Sequence, residues 1–214
     1  MNLAEIGNGR PSRFHDEQAA KRERILAAAL KLFAHEPYQT VTMDRIAEAA
    51  GVAKGTLYLY FPSKDALYLG VLSDGLDASY RTYRSSVDPG LPVVERLRRS
   101  IEVMVEFYDQ RRDFLQLVVM VEPRVAGARN RIDEAWREWL IFFESLVEEG
   151  IRAGAFTRTD PRLASLTIHG GIRSLLLYYG ASRPVSELSR ELASMMLRSL
   201  GADPSQQFKP EHPQ

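Results

Sequence analysis

Apolar residues along most of this chain recur at intervals of three and four. In the segment carrying Ile25, Ala28, Ala29, Leu32 and Phe33, and again in the one carrying Val94, Leu97, Ile101, Met104 and Tyr108, that spacing collects them on one side of a helix. No sustained alternation of period two is bounded by turn residues, and β-branched pairs such as Val118-Val119 sit inside segments of helical length. Breakers punctuate the pattern at Pro37, Gly51, Pro62, Pro89-Gly90-Leu91-Pro92, Pro123, Gly154, Asp160-Pro161 and Ser182-Arg183-Pro184. The pattern predicts an all-α fold of about nine helices.

Three helix starts carry a chemical signature. Asp160 can accept backbone N–H bonds as an N-cap while Pro161 fits the first helical position, where its missing donor costs nothing. Thr42 and Ser63 precede helical segments in the same way, and the acids two residues on, Asp44 and Asp65, meet the positive end of the helix dipole. Residues 1–15 and 201–214, rich in Gly, Pro and Asn or Pro and Gln, lack periodicity and are expected to be a flexible arm and tail.

From Met43 to Tyr60 the chain reads MDRIAEAAGVAKGTLYLY. Ile46 and Ala50 share one face of a short helix, Ala47 permits close approach, Gly51 supplies a left-handed turn, and Val52 and Leu57 anchor a second short helix. This is a helix-turn-helix whose second helix presents Lys54, Thr56, Tyr58, Leu59 and Tyr60, a cation, hydroxyls and one apolar tip suited to a thymine methyl in the major groove. Lys64 follows at the next helix start, where an ammonium opposes the dipole and a phosphate would relieve it.

The stretch from Arg24 to Leu67, carrying ILAAALKLFAHEPYQTVTMDRIAEAAGVAKGTLYLYFPSKDAL, resembles the DNA-binding domain of the TetR/AcrR family of bacterial transcriptional regulators. That resemblance implies a homodimeric, ligand-responsive repressor that binds an operator in double-stranded DNA. It further implies that Lys54, Gly55 and Thr56 face bases while Thr42, Tyr58, Tyr60 and Lys64 meet phosphates. Two positions depart from the family pattern: Ala53 stands where Ser is frequent, and Leu59 where a polar or aromatic residue is frequent. The chain then divides into the arm, a DNA-binding domain over 16–64, a helical effector-binding and dimerisation domain over 65–200, and the tail.

Composition narrows the alternatives. With 45% hydrophobic and 26% charged residues the chain is of globular type, and its 28 basic and 28 acidic side chains cancel, so attraction to DNA must be local. Within residues 1–64 nine Lys and Arg face seven Asp and Glu. Arg10, Arg13, Lys21, Arg22 and Arg24 either reach the DNA backbone or minor groove or are simply solvated. The absence of Cys fits a reducing compartment, and no stretch has the composition of a signal peptide or a membrane span, so a cytoplasmic location is the default expectation. The four histidines show no metal-ligand spacing and no phosphate loop or nucleophile elbow is found, so no metal, cofactor or enzymatic activity is expected. An all-helical enzyme using Glu144, Glu148 or Glu149 is the distant alternative; an architectural or activating DNA binder without an effector is the nearer one.

Past residue 65, an aromatic-rich set gathers on helical faces, from which Met104, Phe107, Tyr108, Trp136, Trp139 and Phe143 are the candidate lining of a pocket for a hydrophobic or amphipathic small molecule. His169 and Arg173, four apart on one helix, are its candidate polar end: a buried Arg needs an anion, which points to an acidic or acyl-conjugate effector, and the plainer alternative has either side chain pairing with a carboxylate across a helix interface or pointing into water. The last two helices have wide apolar stripes, and the resemblance makes them a four-helix dimer interface through Leu166, Gly170, Leu177, Leu188, Leu192 and Met195. A twofold dimer would place two recognition helices about 34–36 Å apart, over a near-palindromic operator.

Overall fold

The computed structural model of the protein describes residues 13–179 and 183–202. Among them every regular element is helical: α1 (Arg13–His35), α2 (Met43–Ala50), α3 (Lys54–Tyr60), α4 (Lys64–Ser86), α5 (Val93–Gln110), α6 (Arg112–Val119), α7 (Ala128–Arg152), α8 (Pro161–Tyr178) and α9 (Val185–Ser199). The all-α class and the helix number expected from periodicity are thus observed among the described residues. Most of the arm, Arg10 included, lies outside them, but α1 opens at Arg13, inside the stretch expected to be an arm. Gly201 and Ala202, expected to begin the tail, are packed instead. The Ala202 N–H donates to the Leu197 carbonyl at 3.0 Å and its side chain is buried.

The three expected caps form. Asp160 Oδ1 accepts from the N–H groups of Arg162 (2.9 Å) and Leu163 (3.2 Å), Thr42 Oγ1 from Arg45 (3.3 Å) and Ser63 Oγ from Ala66 (3.1 Å). Each satisfies donors that the first turn of a helix leaves open. The break between α5 and α6 carries no such sign, since no Gly or Pro occurs between Pro92 and Pro123. The chain turns there at Arg111 (φ −125°, ψ 55°), and the turn lets Phe107, Phe114 and Tyr108 pack together as three aromatic rings.

One continuous apolar core runs from Ile25 to Ala202. In its first part α1, α2 and α3 close around Phe33, Ile46 and Leu57. The helix α4 belongs to both parts. Near its start the Tyr68 ring meets Phe33 at 5.0 Å and Tyr38 at 5.5 Å; near its end Tyr83 meets Trp139 at 5.5 Å and Phe142 at 4.7 Å. Midway, the Phe114 ring of α6 lies directly on the backbone of Gly75, in space that a Cβ would need. Two polar contacts flank this crossing: His35 Nε2 to Asp113 Oδ1 at 2.9 Å, and the Glu122 N–H donating to Tyr68 Oη at 3.0 Å. Behind them α5 lies along α9, and α7 along α8.

Alanine at an interior helix position is ordinarily about 1 kcal/mol better than glycine. At Gly75 the order should reverse, because the Phe114 ring is 1% exposed and cannot retreat, and forced overpacking costs about 1–3 kcal/mol. Gly75→Ala should therefore lower the urea midpoint by the equivalent of about 1 kcal/mol; a raised midpoint would show that the two helices are not in tight contact.

Candidate functional site

The first site is built by α2 and α3. The helix α2 buries Met43, Ile46, Ala47 and Ala50 and ends at Gly51, whose φ of 64° and ψ of 39° turn the chain into α3. Leu57 is fully buried and fixes α3 by its inner side, leaving Lys54, Gly55, Tyr58 and Leu59 exposed and Thr56 and Tyr60 half-buried. Leu59 is 86% exposed, the most exposed large apolar side chain described, at the outermost point of the helix. A Cβ on Gly55 would touch nothing, so the helix has an open notch where a DNA strand can approach closely.

The polar groups around this surface are differently engaged. Thr42 uses its oxygen as the α2 cap and keeps its hydroxyl proton to donate. The Tyr60 hydroxyl donates to the Gln18 carbonyl of α1 at 3.4 Å, a long and weak bond that another acceptor can replace. Lys54 lies in an ion pair with Asp44, Nζ to Oδ1 at 2.7 Å. Lys64 corrects the sequence reading. Its ammonium donates to the carbonyls of Tyr38 (2.8 Å) and Val41 (2.9 Å) and stands 4.1 Å from the Tyr38 ring centroid, so the relief expected from a phosphate is met within the chain. One of its three donors remains for a phosphate. Arg22, considered for the DNA backbone, pairs with Asp74 at 3.5 Å, and the side chain of Arg13 lies outside the described residues.

The second site lies between α5, α6, α7 and α8. Met104, Tyr108, Trp136, His169 and Arg173 meet there as expected, joined by Leu115, Val118, Val119, Ile172 and Leu176, around a cavity of about 20 Å³. That volume holds about one water molecule. A depression of about 200 Å³ beside it shares Val118, Val119, Trp136 and Arg173 and adds Arg129, Ile132 and Asp133. Three expected lining residues are elsewhere. Phe143 is fully buried core, Phe107 packs on Phe114 under the Arg111 guanidinium, and Trp139 turns to α4, where it lines a separate cleft of about 380 Å³ with Tyr80, Arg81 and Arg84. Residues three apart on a helix diverge by about 60°, enough for Trp136 to meet α8 and Trp139 to meet α4.

The cavity is neutral inside and positive at its mouth. Burial, with a smaller push from Arg173, lowers the His169 imidazole to about 4, and burial alone raises the Tyr108 phenol to about 12, so neither carries charge near neutrality. Arg173 is exposed, as in the alternative that points it into water, and not the buried cation that the effector reading supposed. Its guanidinium lies over the Trp136 ring at 5.7 Å and makes no ion pair among the described residues. Trp136 also meets His169 edge to face at 4.1 Å. Leu115, Val118 and Val119, the α6 wall, were missed because nothing in the sequence marks where α6 begins.

Of the expected interface residues, Leu166 and Met195 are about half exposed and Gly170 faces open space, while Leu177 is partly buried. Leu188 and Leu192 are buried inside the chain, Leu192 against Gly171, and cannot meet a partner. Two further apolar side chains of α8, Leu163 and Tyr178, are exposed on the same helix. Of the acids weighed for catalysis, Glu144 pairs with Arg162 and Glu149 with Arg96. Among the described residues no helix is long and apolar enough to cross a membrane.

Comparison with known proteins follows the same division. Residues 25–71 match the family model described as bacterial regulatory proteins, tetR family, and residues 90–200 match the tetracyclin repressor-like C-terminal domain. The transcriptional regulator RutR of Escherichia coli (strain K12) is 31% identical over 150 residues, covering 67% of this chain and 68% of RutR. Among solved structures, a putative fatty acid metabolism regulator of Clostridium perfringens superposes with a TM-score of 0.69 at 27% identity, covering 82% of this chain and 97% of that one. The regulator FadR of Bacillus subtilis, solved in complex with stearoyl-CoA, gives 0.69 at 23% identity over 82% and 97% of the two chains. The two matched segments together span the helix-turn-helix and the helices that enclose the cavity, and the chain belongs to the TetR family of bacterial regulatory proteins.

Proposed function

We propose that this protein is a dimeric transcriptional repressor whose operator affinity is lowered by an amphipathic, anionic small molecule bound between α5, α6, α7 and α8. The observation that carries the reading is the double duty of α6. Leu115, Val118 and Val119 wall the cavity, while Phe114 on Gly75 holds the connecting helix α4 and Asp113 on His35 holds α1 of the DNA-binding domain. Immediately beyond α6, Glu122 is tied to Tyr68. A ligand larger than the present cavity must push α6 outward, and α6 cannot move without pulling on α1 and α4. A hundredfold loss of operator affinity needs about 2.7 kcal/mol of differential ligand binding between the two states.

The cavity chemistry supports the effector class. Its apolar walls accept a hydrocarbon, Tyr108 and His169 within it are uncharged, and Arg173 and Arg129, which make no ion pair among the described residues, stand beside Asp133 where a head group would emerge. The FadR complex with stearoyl-CoA supports a ligand of that build in a related fold. We place the dimer contact on α8 and α9, through Leu163, Leu166, Gly170 and Met195, the exposed apolar and small residues of that surface. DNA contact is assigned to Thr42, Lys54, Gly55, Thr56, Tyr58, Leu59, Tyr60 and the remaining donor of Lys64. An architectural DNA binder would instead show sequence-independent affinity with a steep salt dependence.

Lys54→Ala and Tyr60→Ala should each weaken binding to a duplex from the protein's own promoter region about tenfold in a gel-shift titration, from the loss of one base or phosphate contact each. Their sedimentation should match wild type; unchanged affinity in both would rule out docking by α3. For the effector, palmitate should raise the melting temperature and release DNA. Arg173→Ala should bind it about tenfold more weakly while binding hexadecanol as wild type does; equal loss for both ligands would contradict a charge contact. Since the His169 pKa is depressed on folding, its contribution to stability is complete above the unfolded value near 6.5 and is lost as pH falls toward 4. His169→Gln should therefore flatten the fall in melting temperature across that window, and parallel curves would refute the assignment.

A further inference from the structure

Asp44 stands on the DNA-facing surface with its side chain 64% exposed, in a position where phosphate charge would repel it. Both of its oxygens hold Lys54, at 2.7 Å (Oδ1) and 3.0 Å (Oδ2) from Nζ, and the lysine side chain is itself 60% exposed. An ion pair so open to water contributes at most about 1 kcal/mol to stability, and the role of Asp44 at the positive end of the α2 dipole does not need Lys54. Its geometry does something else. A lysine on a flexible four-carbon stem would ordinarily swing to the nearest phosphate, and a bidentate carboxylate restrains it to a point between α2 and α3.

The paired charges also form a pattern. A guanine presents two acceptors, N7 and O6, to the major groove, and the cytosine opposite adds an N4 amino donor beside them; an adenine–thymine pair presents acceptor, donor, acceptor. An ammonium that gives two of its three protons to the carboxylate keeps one donor beside free acceptor sites, a pair that fits a base-pair edge, where donors and acceptors stand side by side, and not a phosphate, which only accepts. We infer that Asp44 is a specificity-determining residue: by holding Lys54 off the phosphates and offering its own free acceptor sites, it directs this corner of the protein to a base-pair edge. The inference rests on the reading that α3 enters the major groove.

The test uses the full-length protein, a duplex selected by it from a random pool, and a random-sequence duplex of equal length. Asp44→Asn should raise affinity for the random duplex about threefold to tenfold and steepen its salt dependence by about one phosphate contact, as Lys54 becomes free to meet one. It should lower or leave unchanged affinity for the selected duplex, and Asp44→Glu should stay near wild type in both. In the Lys54→Ala background Asp44→Asn should no longer steepen the salt dependence. If Asp44→Asn melts early, Asp44→Ser, which keeps an acceptor at the helix start, takes its place. A ratio of selected to random affinity unchanged in Asp44→Asn, with Lys54→Ala still defective, overturns this inference alone. Full activity of Lys54→Ala on both duplexes overturns the placement of α3 beneath it.

Discussion

The contact on which the two halves of this protein depend is the Phe114 ring of α6 lying on the bare backbone of Gly75 in α4. A helix surface without a side chain at one position lets another element come several ångströms nearer, and dispersion and apolar burial are strongest at that range. Because α4 begins among the DNA-binding helices and ends among the effector helices, a tight crossing at its middle joins the two into one apolar core. The flanking contacts, Asp113 with His35 and the Glu122 N–H with Tyr68, fix the orientation of that crossing. Packed interfaces respond to displacement by switching arrangement, since close-packed interiors do not deform smoothly.

Charge is distributed so that each site has one sign problem to solve. The cavity between α5, α6, α7 and α8 keeps His169 and Tyr108 neutral by burial and leaves Arg129 and Arg173 at its entrance, an arrangement that would let an anionic head, as proposed, be met without carrying charge inside. At the DNA face the chain carries little net positive charge, consistent with 28 basic and 28 acidic residues overall. Affinity for nucleic acid must then come from a small number of well-placed donors, and the engagement of Lys54 by Asp44 and of Lys64 by two carbonyls shows how closely the available cations are managed.

Much of this was legible in the sequence. The caps at Thr42, Ser63 and Asp160 and the turn at Gly51 were readable because each rests on a local rule linking one residue type to one backbone geometry. The helix-turn-helix was readable for the same reason. What escaped is non-local. The α5–α6 turn at Arg111 has no breaker and is stabilised by rings that meet only in the folded protein. Trp139 and Phe143 share the helical spacing of true cavity residues but face a different neighbour, and periodicity alone cannot say which neighbour a face meets. Leu188 and Leu192 looked like partner-facing residues because an apolar stripe reads identically whether it is covered by another helix of the same chain or by a second copy. Lys64 was correctly singled out as a cation in an unfavourable place, but its compensation comes from carbonyls 23 and 26 residues earlier.

The claim that both sites share one cooperative core is tested most directly by pulse hydrogen exchange at the urea midpoint, read by mass spectrometry of peptides from α2–α3 and from α7. The account predicts that both peptides show two populations, protected and exchanged, in the same ratio as each other at the midpoint and at every other urea concentration. Exchange of α2–α3 at concentrations where α7 remains wholly protected would contradict it.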